Sequence, residues 1–193
     1  SFERWARPAE TPRAAREIAG WTWLTIRNQK GETVAPGGYD DIPERLDGTL
    51  PHGIGAVQLA GWFHDGHDTD FPDYRPIDEL GGWAALRAAV DESHEIGGRV
   101  LFYFNGRLAN LENATYQGVK GQWEALGPDG QPVVETYGSQ RFAVLCPSVA
   151  AWREHLIGQV LRLIRETGAD GAFIDQVAAA PALLCHNRVH GHA

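Results

Sequence analysis

The chain contains no methionine and only two cysteines, Cys146 and Cys185, and each shortage narrows the possibilities. A chain without even an initiator Met is expected to be processed, excised or incomplete at its start. Two cysteines far apart and outside CxxC spacing rule against a disulfide framework and give no sign of a structural zinc site. Unpaired thiols fit a reducing compartment and lean the localisation toward the cytoplasm. Positive charge is also scarce, with 17 Lys and Arg against 25 Asp and Glu, a formal net charge of -8 and a pI near 5.4. Clustered cations are what a phosphate backbone needs, so no nucleic-acid partner is expected. No apolar run approaches a membrane span, and SFERWARPAETPRAAREIAG lacks the apolar core of a signal peptide, so no membrane partner is expected either. No GxGxxG follows the first apolar run, which counts against a dinucleotide-binding sheet.

What is present is an alternation. WTWLTI (21–26) reads as a strand, YDDIPERLDGTLPHG (39–53) as a short helix or turn region interrupted by Pro43, and GAVQLAGWF (55–63) as a second strand. In 81–98, Trp83, Leu86, Val90 and His94 fall at helical spacing before the stop signal Gly97-Gly98. RVLFYFNG (99–106) is a third strand. The segment 148–168 is the clearest helix: Ser148 is the expected N-cap, Gly168 the stop, and Trp152, Leu156, Val160, Leu163 and Ile164 the buried stripe. FID (173–175) ends a fourth strand. Strand, crossover helix, strand, repeated in this way, predicts right-handed βαβ units and a parallel sheet. A closed (β/α)₈ barrel takes about 250 residues, so four units predict the first half of one.

About forty residues, 107–147, separate the third strand from the long helix, more than a plain βα loop requires. Within them QWEALGPDGQPVVETY places a PDG turn between two extended runs, which predicts a β-hairpin. In a barrel such an insertion lies over the C-terminal mouth, as a lid or wall. Residues 1–19 are an N-terminal extension, and the whole of 1–193 is expected to form a single incomplete barrel domain.

Polar residues collect where the strands end. The second strand runs into Trp62, His64, Asp65, His67 and Asp68, the third into Asn105 and Arg107, and the fourth into Asp175 and Gln176. Parallel strands would bring them to one rim. Carboxylates, amides, a guanidinium, imidazoles and an indole suit a sugar, whose hydroxyls take polar partners and whose ring face takes an aromatic. DGAFIDQV poses the sharpest question, because a strand apolar on both faces ends on a carboxylate. Asp175 needs a partner or a task there; capping the next turn or pairing with Arg107 also answers it, and Arg107 would lower the pKa of a neighbouring Asp. Asn105 also has a second reading, satisfying loop backbone. HDGHD holds two imidazoles three residues apart on a loop, a weak metal pattern, and no metal or cofactor is assigned. His186, His190 and His192 form a His-rich tail within reach of the same mouth.

The run FAVLCPSVAAWREHLIGQVLRLIRETGADGAFIDQV resembles the region of α-galactosidases and α-glucosidases in which a long amphipathic helix leads to a strand closing on the nucleophilic Asp. QWEALGPDGQPVVETYG resembles the insertion before that helix. GIGAVQLAGWFHDGHDTDFPDYRPIDELGGWAALRAAV, GGRVLFYFNGRL and DGAFIDQVAAAPALLCHNRVHGH are together similar to a group of glycosidase-like barrels, the DUF6259 family, over roughly residues 20–193. The resemblance implies that Asp175 is the nucleophile of a retaining glycosidase acting on an α-linked glycoside. It also implies that the acid/base comes from a later strand, beyond Ala193. Trp62, His64, Asp65, Asp68, Asn105, Arg107 and Gln176 would then bind substrate or position the carboxylate. Half a barrel should itself be inactive, with the missing half, or a second copy joined through open strand edges, as its partner. Two rivals stand beside this reading: a metal-dependent hydrolase using His64, His67, the late histidines and Asp175, and a carbohydrate-binding barrel without catalysis.

Overall fold

In a computed structural model, described for residues 10–177 and 179–192, seven strands and five α-helices form. The strands are β1 (Gly20–Thr25), β2 (Ile54–Ala60), β3 (Arg99–Asn105), β4 (Leu108–Asn110), β5 (Val134–Tyr137), β6 (Gln140–Val144) and β7 (Gly171–Asp175). The helices are α1 (Arg13–Glu17), α2 (Asp41–Thr49), α3 (Gly82–Glu95), α4 (Ala114–Val119) and α5 (Ala150–Thr167). The protein is a mixed α/β structure whose main sheet is fully parallel in the order β1-β2-β3-β7. β1 and β7 are the edges of that sheet.

The pleat gives the sheet two unlike faces. Leu24, Val57, Leu59, Val100, Phe102 and Phe104 point to one of them and share a core with Ile42 and Leu46 of α2, Leu86 and Val90 of α3, and Leu163 of α5. Each large side chain removed from water there contributes about 1.5–3 kcal/mol. The opposite face carries Trp21, Trp23, Gln58, Tyr103, Phe173 and Asp175, and Trp21, Trp23 and Phe173 remain 53%, 39% and 38% exposed. Cross-strand register aligns Trp23 with Gln58, Gln58 with Leu101, Tyr103 with Phe173, and Asn105 with Asp175.

The helices end where glycine permits a left-handed residue. Gly97 (φ +87°) follows α3, and Gly168 (φ +76°) closes α5 with its N–H donating to the Ile164 carbonyl. The expected N-cap differs: α5 begins at Ala150 behind Val149, no side chain caps it, and Ser148 lies in the preceding turn. The expected stripe of α5 is buried at Trp152 and Leu163, but Leu156, Val160 and Ile164 are only half-buried, while Ile157 and Leu161 are 55% and 48% exposed. That helix flanks an edge strand and therefore has neighbours on one side only.

The insertion between β3 and α5 folds into a three-stranded antiparallel sheet, order β4-β6-β5, plus the short α4. The PDG segment does reverse the chain, with Gly127 N–H donating to the Gln131 carbonyl at 2.8 Å and a bridge between Leu126 and Pro132. The regular hairpin, however, is β5–β6, which turns at Gly138 and Ser139, one strand later than the sequence indicates. Gln29 ties this hairpin to the end of the main sheet: its amide donates to the Tyr137 carbonyl (2.8 Å) and to the Asp68 carbonyl (3.1 Å).

Candidate active site at the carboxyl ends of the strands

Asp175 is the last residue of β7 and is half-buried. Its two carboxyl oxygens have different partners. The Tyr103 hydroxyl, from the neighbouring strand, donates to Oδ2 at 2.9 Å, and the Gln176 backbone N–H donates to Oδ1 at 2.8 Å. Burial, and then the charges of Asp68 and Asp175, push the Tyr103 phenol well above its ordinary value. Tyr103 therefore stays protonated and always donates. With one neutral donor on each oxygen, the carboxyl group is fixed in orientation.

Asp68 lies within electrostatic reach of Asp175. Burial raises its pKa first, His67 opposes the rise, and the Asp175 charge adds to it. Its Oδ2 is 3.7 Å from His67 Nε2, and the His67 ring stands edge-on to Tyr103 (centroids 4.8 Å) and Trp23 (5.7 Å). The mouth thus joins Trp23, His67, Asp68, Tyr103, Asp175 and Gln176. Two of these, Asp68 (φ +54°) and Gln176 (φ +65°), are the non-glycine residues with left-handed backbone among the described residues. For Gln176 that conformation costs about 1–2 kcal/mol, and strain of this kind concentrates at functional sites. Three buried polar atoms without a hydrogen-bond partner, Gln58 Nε2, His67 Nδ1 and Asn105 Nδ2, belong to residues of the same open face or of its rim.

Several expected residues are elsewhere. Trp62 is not a platform at the mouth but a core residue, 0% exposed, stacked on Tyr74 and edge-on to Phe102, with its indole N–H donating to the Tyr103 carbonyl at 2.9 Å. Strand alternation would put residue 62 on the open face with Gln58 and Ala60. Gly61 (φ +56°) breaks the alternation at the strand end, in a space so tight that a Cβ would lie 1.9 Å from the Arg27 carbonyl oxygen. Asn105 is also 0% exposed and turns the chain into β4: its Oδ1 accepts from the N–H groups of Arg107 (3.0 Å) and Leu108 (2.9 Å).

Arg107 does not hold Asp175. It makes a bidentate pair with Glu135 of the insertion, both contacts at 2.7 Å, and reaches only the Gln176 side chain at 3.5 Å. The Arg107 hydrogen bonds lower the Glu135 pKa. His64 and Asp65, paired at 3.1 Å, line a different cavity of about 300 Å³ together with Asp70, Asp73, Arg75 and Arg162. The late histidines pack on the insertion, where the His186 N–H donates to the Leu126 carbonyl and His190 Nε2 meets the Gln122 carbonyl. Among the described residues, no grouping of three or more metal donors includes His64, His67 or Asp175. Sequence reasoning missed Tyr103 and Trp23 as members of the mouth. The signal was their parity: Tyr103 and Asn105 alternate onto one face of β3.

A family described as "Domain of unknown function (DUF6259)" matches residues 6–193. The chain belongs to that family. This DUF6259 chain is 30% identical over 134 residues to a protein of Bacteroides thetaiotaomicron named "Putative glycoside hydrolase", the match covering 68% of the chain and 19% of the relative. It is 28% identical over 134 residues to "Putative glycoside hydrolase 22789" of Monosiga brevicollis, covering 65% of the chain and 11% of the relative. The chain therefore spans a fifth or less of the curated relatives it matches.

Among solved structures, the DUF6259 fold is similar to an α-N-acetylgalactosaminidase of Bifidobacterium bifidum (TM-score 0.70, 18% identity, 89% of this chain and 30% of that one). It is also similar to an α-amylase of Geobacillus thermoleovorans (TM-score 0.62, 17% identity, 86% and 41%). These neighbours are barrel glycoside hydrolases, and at such identity the likeness concerns the fold.

Proposed function

We propose that this chain forms the first four βα units of a (β/α)₈ barrel that hydrolyses an O-glycosidic bond, α-linked, with Asp175 as the nucleophile. The observation that carries the reading is the Asp175 carboxylate, held at the C-terminal end of a parallel strand by Tyr103 and the Gln176 N–H and left half-open to solvent. Active sites of such barrels are built at that end. The partial barrel is supported by sequential parallel strands, by helices on one face and exposed aromatics on the other, and by the barrel neighbours' coverage of this chain. The relatives named as glycoside hydrolases support the reaction class, and the neighbours named α-N-acetylgalactosaminidase and α-amylase support the α linkage.

In this reading the ionised Asp175 attacks the anomeric carbon, and a carboxylic acid about 5 Å away protonates the leaving oxygen if the configuration is retained. Tyr103 and Gln176 keep the attacking oxygen aimed. Asp68, its proton affinity raised by burial, binds a sugar hydroxyl, and Trp23 offers the ring face an aromatic partner. The acid/base comes from a strand that completes the barrel.

The test is turnover of an aryl α-glycoside by a protein carrying this domain with the rest of its barrel. Asp175→Asn should lower turnover on the order of 10³-fold or more while sugar binding persists. Turnover unchanged by that substitution overturns the assignment. The exposed Trp21 and Trp23 favour one second reading, a barrel that binds carbohydrate without cleaving it. Calorimetric sugar binding with no hydrolysis by the same protein would select it.

A further inference from the structure

Cys146 and Cys185 lie 39 positions apart in sequence, and the fold brings them together with His190 and His192. One donor atom from each of the four lies within 4.8 Å of all the others. Cys146 sits in the turn between β6 and α5, is 1% exposed, and is fixed there by its N–H donating to the Trp123 carbonyl at 2.8 Å. The other three come from CHNRVHGH (185–192), which follows β7. Gly191, left-handed at φ +72°, folds His192 back beside His190, with ring centroids 5.9 Å apart.

The His190 ring is held by contacts at both of its nitrogens. His190 Nδ1 is 3.6 Å from Cys185 Sγ, and its Nε2 faces the Gln122 carbonyl at 2.9 Å, with the Asn187 side-chain amide against the same nitrogen. In the tautomer that carries its proton on Nε2, which donates to the Gln122 carbonyl, Nδ1 presents its lone pair toward Cys185 Sγ. That is the outer-shell arrangement of a metal-bound imidazole. His192 Nε2 is shielded from solvent and has no hydrogen-bond partner. A tetrahedral ion with bonds of about 2.0–2.3 Å needs donors roughly 3.3–3.8 Å apart, and the Cys185–His190 contact is already at that spacing.

We propose that Cys146, Cys185, His190 and His192 bind one zinc ion as a structural Cys₂His₂ site. Two thiolates and two neutral imidazoles select tetrahedral zinc over hard cations. Binding releases the two thiol protons to solvent, and the filled site is neutral. All four positions are taken by protein, so the ion leaves no place for substrate or a reactive water. Its effect is to clamp the segment after β7 onto the insertion, as the His186 N–H to Leu126 carbonyl bond already begins to do. That segment (Ala180–Leu183 and Cys185) walls a largely apolar cavity of about 490 Å³ that also touches Arg107 and Gln176. The zinc would therefore hold one wall of a cavity whose lining includes Gln176, the residue that follows Asp175. The site stands whether or not the chain belongs to a glycosidase.

The full chain, purified under reducing conditions and stripped with a chelator, is titrated with Co²⁺ and then Zn²⁺. One equivalent of cobalt should give the intense visible bands of tetrahedral coordination and a thiolate charge-transfer band, both erased by one equivalent of zinc. Cys185→Ser and His192→Ala should each weaken cobalt binding about 100-fold or more, whereas His52→Ala leaves it unchanged. Absence of the tetrahedral spectrum in the folded, reduced wild-type chain overturns the site, independently of whether any variant folds. A Cys146–Cys185 disulfide in the freshly isolated protein, seen by intact mass, overturns it as well.

Discussion

The two faces of the parallel sheet are built from the same strands and differ in almost everything else. On the helix side Val57, Leu59, Val100, Phe102 and Phe104 are at 0% exposure, packed at the density of an organic solid. On the other side Trp21, Trp23 and Phe173 are exposed, polar atoms of Gln58 and Asn105 lack partners, and Asp68 and Gln176 carry left-handed backbone on the rim. One face is finished and the other is prepared for something. In the proposed function, stability rests on the first face and chemistry on the second, and substitutions should separate them.

The largest stability effect is expected from Trp62→Ala, which empties a fully buried site ringed by Phe63, Tyr74, Phe102 and Phe104. Denaturant unfolding should register a loss of about 3–5 kcal/mol; a loss under about 1 kcal/mol would show that the helix side is not the sheet's main support. Tyr103→Phe ranks next. It deletes the hydroxyl on Asp175 Oδ2, a bond worth about 1.5–3 kcal/mol if the acceptor is charged, so under the proposed function turnover by a protein carrying this domain with the rest of its barrel should fall about 10–100-fold with KM little changed. If KM rises and kcat holds, Tyr103 serves binding and not the orientation of Asp175. Trp21→Ser should have the smallest effect on folding, under about 1 kcal/mol, since the side chain is already 53% exposed. A cost matching that of Trp62→Ala would mean that the open face is covered in solution.

The local elements were legible because hydrophobic period and punctuation agree along the chain. Leu86 and Val90 sit a helical turn apart before Gly97, and RVLFYFN and GAFID are continuous apolar runs of strand length. The carboxylate closing the last strand was equally visible. What failed was everything that depends on a partner distant in sequence or on one dihedral angle. Trp62 was misplaced because a single positive φ at Gly61 reversed the phase of the chain. Arg107 went to Glu135, on an insertion strand whose register the PDG turn did not predict. Tyr103 was passed over because inside an aromatic-rich strand a phenol and a core ring read alike.

The two cysteines make the same point from the other direction. Nothing in a spacing of 39 residues marks a shared site, yet the turn after β6 and the segment after β7 meet against the insertion. By itself, then, the sequence determined the alternation of elements, the parallel sheet and the carboxylate at its end, because those follow from periodicity and local backbone preference. Only the tertiary structure decided which groups touch that carboxylate, which rim residues are turned inward, and which cysteines and histidines converge. Side-chain partnership depends on through-space distance, which chain order does not encode.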